Sequence, residues 1–359
     1  MMTFKKNITD LLTAKSDADD FSGVVLIQRG EEKLIHVAHG YANLAWEILN
    51  QPDTRFRIAS VSKMFTAVAV LQLIEAGKLT LETKLVSLLG LEKTKIPPEA
   101  TVQHMLTMTS GMADWFDESG NWEEDWAALC REHPLYLFRQ NEDYLPLFTD
   151  VDPVASPGEK HQYNGAGFIL LGLAIQKLTG LSYFDAIRSN IFEKAGMGDA
   201  DFIALEEIAE RVAEGYVPAS NADEGPARWQ RNIYSTTPAA AADGGATCSA
   251  DDLVRFSQAL RAGELLSTAM TAEMLKPHVI QNEDRFRGYD WKYGYGNNFI
   301  LDDDEQIVRW GHTGEEDGVS CRLYYYPRGD LDVIILGNQS WCAGKLGWEI
   351  HDLILEKFK

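Results

Sequence analysis

Short apolar runs mark the two ends of the chain, and longer helical periods fill its middle. Gly23-Val24-Val25-Leu26-Ile27-Gln28 and Lys33-Leu34-Ile35-His36-Val37 flank the polar insert Arg29-Gly30-Glu31-Glu32, the pattern of a β-hairpin. A second, clearer hairpin is predicted where residues 319–326 and 331–336 flank Pro327-Arg328-Gly329-Asp330. Between these ends, Val61, Met64, Phe65, Val68, Leu71 and Ile74 recur at helical spacing, and Gly77-Lys78 supplies a stop, so a buried helix is predicted over 60–76. Further helical periods cover 102–108, 122–129, 167–178 and 182–192, with few convincing strands among them. Two more amphipathic helices are expected, one over 251–260 and one over 347–358 that can cover a sheet face.

Strands at both ends with helices between them predict an α/β fold of the α+β type: an antiparallel sheet flanked by helices, with an inserted all-helical subdomain. Residues 1–359 then form one catalytic unit, 10–78 and 245–359 making the α/β part and 79–244 the helical part. A ligand cleft is expected at the seam between them.

Composition narrows the function classes. At 359 residues the chain is long enough for a large core. Hydrophobic residues at 45% and charged residues at 24% are the proportions of a soluble globular protein, with no run near the roughly 18 apolar residues of a membrane span. A net charge of -21 repels phosphate backbones and anionic lipid surfaces, so neither nucleic acid nor membrane is expected as a partner. The N-terminal stretch carries Lys5-Lys6 but no apolar core or cleavage site, which predicts a cytoplasmic protein. The four cysteines lie far apart and are expected to be buried free thiols.

Ser60-Val61-Ser62-Lys63 opens the predicted buried helix and puts positions 60 and 63 one turn apart on one face. A serine hydroxyl needs a base at neutral pH, and a lysine becomes one when desolvation lowers its pKa. Serine followed three residues later by lysine is also an ordinary capping pattern, with Ser60 as N-cap and Lys63 exposed. Order along the chain separates the two readings. Ser60-Val61-Ser62-Lys63 is an S-x-x-K signature. Thr109-Ser110-Gly111, Tyr163 before Gly167-Phe168-Ile169-Leu170-Leu171-Gly172, Asp243-Gly244-Gly245 and Gly311-His312-Thr313-Gly314 follow it. Taken together, these segments resemble the serine β-lactamase and penicillin-binding-protein family across nearly the whole chain.

That resemblance implies the β-lactamase/transpeptidase-like fold and acyl transfer without metal or other cofactor. It implies Ser60 as nucleophile, Lys63 as its base, Tyr163 as a second proton-relaying group, and His312 polarising the site or hydrogen bonding to Tyr163. The backbone N–H groups of Ser60 and Glu315 would form the oxyanion hole, with Thr313 and Gly314 contacting substrate. The family's Tyr-x-Asn becomes Tyr163-Asn164-Gly165 here, and Asn164 is a candidate to substitute for the missing asparagine in binding substrate. Glu315-Glu316-Asp317 follows His-Thr-Gly, where the family more usually has small residues. These acids either favour neutral or cationic substrates, reinforced by Asp114, Asp117, Glu118, Glu123, Glu124 and Asp125, or are simply paired with Arg309 or Arg322. Trp115, Trp122 and Trp126 form either an acyl pocket or a small aromatic core. The expected activity is hydrolysis of small-molecule esters or amides. A β-lactamase or D-alanyl-D-alanine carboxypeptidase, a D-aminopeptidase, and a non-catalytic binding or sensor protein are the alternatives. Residues 112–155 and 203–240 match no motif.

Overall fold

Eight strands make one antiparallel sheet in the computed structural model, which describes residues 1–118, 120–219 and 229–358, leaving the side chain of Glu123 outside the description. They are β1 (Gly23–Arg29), β2 (Glu32–His39), β3 (Val279–Ile280), β4 (Asp290–Tyr293), β5 (Asn298–Leu301), β6 (Ile307–Glu316), β7 (Val319–Tyr326) and β8 (Leu331–Gly337). Their spatial order is β2-β1-β8-β7-β6-β5-β4-β3, so the first hairpin of the chain closes onto its last strand. Val24 stands opposite Leu336 and Ile27 opposite Val333 in that junction.

Both predicted hairpins form, and the unbroken apolar runs within them have a simple cause. Alternate residues of β1 enter different cores: Val24 and Leu26 face one side, Val25 and Ile27 the other. A sheet covered on both faces has no solvent side to alternate with. One face is covered by α1 (Met2–Asp17) and by the C-terminal helix, through Ile8, Leu12, Leu346, Ile350 and Ile354. The sequence pattern had not singled out α1. The opposite face meets α2 (Lys63–Glu75), α3 (Gly165–Thr179) and α4 (Ala250–Arg261). The C-terminal helix is α5 (Cys342–Lys357), which starts earlier than expected.

Apolar residues surround α2 on nearly every side, from Met64 and Phe65 to Val70 and Leu71, as befits a helix inside the larger core. Its start differs from the expectation. Residues Ala59–Ser62 form a 3-10 turn, and the α-helix begins only at Lys63. No single helix among the described residues is long and apolar enough to cross a membrane. The cysteines are free as expected, although Cys130 and Cys342 are only half-buried.

Candidate active site

The turn carrying Ser60 is built by contacts on both sides. Phe56-Arg57 pairs with Thr247-Cys248, and Ile58 N–H donates to the Ala246 carbonyl at 2.8 Å. Ala59 then takes a left-handed φ of 44°, a strained value for alanine that costs on the order of 1–3 kcal/mol and must be held by its surroundings. Ser62 holds it: its hydroxyl donates to the Ala59 carbonyl at 2.8 Å and accepts from Ala246 N–H at 3.1 Å. The Ala59 carbonyl also accepts from Gly245 N–H at 3.2 Å. On the far side, a Cβ at Gly314 would lie 2.2 Å from the Ile58 carbonyl oxygen. Gly314 therefore lets β6 press against the turn in a close backbone approach.

Lys63 is 2% exposed, and its Nζ lies 2.9 Å from Ser60 Oγ and 2.6 Å from the Asp243 carbonyl. Burial lowers its pKa, opposed by the more distant charges of Asp243, Glu118, Asp114 and Glu316. Tyr163 Oη donates to Ser60 Oγ at 2.7 Å, and desolvation pushes its pKa well above the usual phenol value. Ser60 thus sits between a lysine pushed toward its neutral form and a phenol held in its protonated form. Such a pair can take a proton from a nucleophile and return one to a leaving group.

Tyr163 is positioned by the start of α3. Asn164 caps that helix, accepting from Gly167 N–H at 2.7 Å while its amide donates to the Met112 carbonyl at 3.1 Å. Its side chain is buried and committed to these partners, which corrects the expectation that it binds substrate. Asp114 accepts from Gly165 and Ala166 N–H at 2.7 and 2.8 Å, and burial pushes its carboxyl up to about 7 despite these donors.

His312 is fully buried on β6, but it bonds to Tyr293 rather than to Tyr163, correcting that alternative. Its Nδ1 is 2.5 Å from the Thr313 carbonyl, which can only accept, so Nδ1 carries the proton and Nε2 accepts from the Tyr293 hydroxyl at 3.1 Å. Burial and the neighbouring Lys63 lower the His312 pKa to about 3, leaving the ring neutral. Its ring centroid is 6.4 Å from that of Tyr163. Thr313, on the same strand, is half-buried.

Ser60, Lys63, Gly165 and Glu315 line one cleft, together with Trp115, Phe116, Trp122 and Trp126. Phe116 packs edge-on against Trp122 and Trp126, with centroids 4.8 and 5.4 Å away. The aromatic segment is therefore both a small core and a wall of the cleft. The acids after His-Thr-Gly are paired: Glu315 with Arg322 at 2.5 Å, and Glu316 with Arg57 at 2.5 Å. Neither Glu315 nor Glu316 pairs with Arg309, which donates to Tyr326 and lies over the Tyr324 ring.

Ser62, Asp243 and Tyr293 were not recognised from the sequence. Asp243 lay within a segment matched as a motif, and Ser62 within the S-x-x-K pattern itself. Tyr293 had no signal, because it reaches His312 from a strand two places away in the sheet.

The family model described as Beta-lactamase matches residues 8–341. A penicillin-binding protein of Bacillus subtilis is 28% identical over 346 residues, covering 93% of this chain and 72% of the relative. Esterase EstB of Burkholderia gladioli is 27% identical, covering 92% and 90%. The crystal structure of a penicillin binding protein from Bacillus halodurans superposes with a TM-score of 0.86 at 35% identity, covering 96% of this chain and 99% of that one.

Proposed function

The chain belongs to the Beta-lactamase family of serine hydrolases, and on that premise we propose that it hydrolyses small esters or amides through an acyl-enzyme on Ser60. The observation that carries this reading is the pair of contacts to Ser60 Oγ, Lys63 Nζ at 2.9 Å and Tyr163 Oη at 2.7 Å. Lys63 takes the hydroxyl proton as Ser60 attacks the carbonyl carbon, and the Ser60 and Glu315 backbone N–H groups stabilise the oxyanion, an effect of about 3 kcal/mol per donor. Tyr163 passes a proton to the departing alkoxide or amine. Water then adds to the acyl-enzyme, Ser60 leaves, and the acid is released. His312 and Tyr293 act as positioning residues behind the pair, and Thr313 contributes a substrate contact.

Esters and amides of uncharged or cationic acids suit the cleft better than β-lactams, because Asp243 lines it and would repel a β-lactam carboxylate. The purified protein should cleave short-chain p-nitrophenyl esters, and Ser60→Ala should abolish that turnover. Intact mass after treatment with a fluorophosphonate should show one adduct on the wild type and none on Ser60→Ala. Turnover that persists in Ser60→Ala overturns the assignment.

A further inference from the structure

Gly165 has no room for a side chain, and what fills the space is informative. A Cβ built there would lie 2.7 Å from Asp243 Oδ2 and 2.8 Å from the Trp115 indole nitrogen. Those two atoms are hydrogen bonded to each other at 2.8 Å. A carboxylate oriented by an indole N–H thus stands in the volume of the absent side chain, on the wall of the cleft that holds Ser60. Asp243 is only 8% exposed, and its backbone carbonyl is the same group that anchors Lys63. Its carboxylate is therefore fixed relative to the nucleophile through two separate contacts.

Charge around the cleft is unevenly satisfied. Among the charged residues lining it, Arg57 is paired with Glu316, and Glu315 with Arg322. Asp114 is engaged by the N–H groups that open α3. Lys63 is pushed toward its neutral form by burial. Asp243 and Glu118 remain, and neither forms a salt bridge within 4.0 Å among the described residues; burial pushes the Glu118 carboxyl above the ordinary carboxylate value, so Asp243 is the principal acceptor. A carboxylate accepts hydrogen bonds but donates none, so this wall recognises a donor, and a positively charged donor best. Trp115 and Phe116 beside it supply apolar faces and ring quadrupoles that also favour an ammonium.

We infer that Asp243, standing in the space left by Gly165 and supported by Glu118 and Trp115, selects acyl groups that carry a free amine near the scissile carbonyl. The substrate class is then aminoacyl esters or amides with an unblocked amino group, rather than N-acylated or carboxylate-bearing ones. This inference rests on the reading of Ser60 as the nucleophile of this cleft.

The test uses p-nitrophenyl ester pairs that differ by an ammonium in place of a methyl: 3-aminopropionyl against butyryl, and 2-aminopropionyl, in both enantiomers, against isobutyryl. Each kcat/KM is divided by that ester's own hydroxide-catalysed rate, which removes the intrinsic activation by the charge. The wild type should favour the amine-bearing member of at least one pair by about tenfold or more, the size expected of a charge-assisted contact. Asp243→Asn should bring that ratio down toward one. Should Asp243→Asn prove unfolded by circular dichroism, Glu118→Gln replaces it, and raising salt from about 0.02 to 0.5 M on the wild type should lower the ratio. A wild-type ratio at or below one for every pair overturns the inference, as does a ratio that neither variant nor salt changes. Ester turnover surviving in Ser60→Ala overturns the proposed function instead, so the two failures are told apart.

Discussion

Two side chains, Lys63 and Tyr163, meet on Ser60 Oγ, and their burial sets the protonation states that the chemistry needs. Lys63 would be an ordinary cation on a surface helix; burial here lowers its pKa, and the same burial raises that of Tyr163. The sign of the pH dependence follows. For an uncharged ester, kcat/KM should rise as Lys63 loses its proton, with a midpoint below the ordinary lysine value of 10.5. It should not fall again below 10.0, because the Tyr163 phenol keeps its proton past that ordinary value. A pH–rate profile whose rising limb has its midpoint at or above 10.5 would contradict Lys63 as the base. Lys63→Arg makes the complementary case, since guanidinium stays protonated throughout. That variant should lose about 10²-fold or more in kcat, the usual contribution of a general base, while its thermal midpoint reports whether the larger side chain is accommodated.

Two elements aim these residues, α3 and β6. The N-terminus of α3 has its orphan N–H groups met by Asn164 and Asp114, and Tyr163 immediately precedes it. Asp114→Ala should therefore cost about 1–2 kcal/mol of stability, read from the denaturant midpoint, and should lower kcat as the Tyr163 hydroxyl loses its fixed position. Asp114→Asn keeps only one of the two accepting oxygens and turns an NH2 toward a backbone N–H, so it should recover only part of either loss. On β6 the constraint is steric. Gly314→Ala would force its Cβ against the Ile58 carbonyl oxygen, so β6 and the Ser60 turn must separate. Ester turnover should drop by more than the loss of stability explains, provided the variant is assayed well below its thermal midpoint.

At the scale of the whole molecule, one sheet separates two cores, and α4 is clamped to it by a buried polar cluster. Asp332 on β8 accepts from Arg261 at 2.7 and 2.9 Å and from Ser257 at 2.6 Å. Asp332→Ala would leave Arg261 without its carboxylate and should destabilise by about 3–5 kcal/mol, as one-sided removal of a buried pair does. A net charge of -21 adds repulsion spread over the surface. Screening that repulsion should raise the thermal midpoint when salt goes from about 0.02 to 0.3 M, and a flat or falling midpoint would show that specific ion pairs outweigh it.

Much of this architecture follows from periodicity alone. The hairpins at the chain ends, the buried helix after Ser60 and the helical middle are written in spacings of two and three to four residues, because burial on a sheet or helix face repeats with the backbone's own geometry. Ser60, Lys63 and Tyr163 were equally readable, since each lies in a local segment with an order along the chain. Other features depend on contacts between distant segments, and no local pattern encodes those. Asn164 reads as a substrate ligand until the start of α3 claims its side chain. His312 finds Tyr293 only because β4, β5 and β6 lie side by side. The acids after His-Thr-Gly look unbalanced until Arg57 and Arg322 reach them from the turn before Ser60 and from β7. Sequence by itself determined the layers of the fold and the type of nucleophile. The tertiary structure alone decided the charge and shape of the cleft, because Asp243 enters the space of Gly165 from a segment far along the chain.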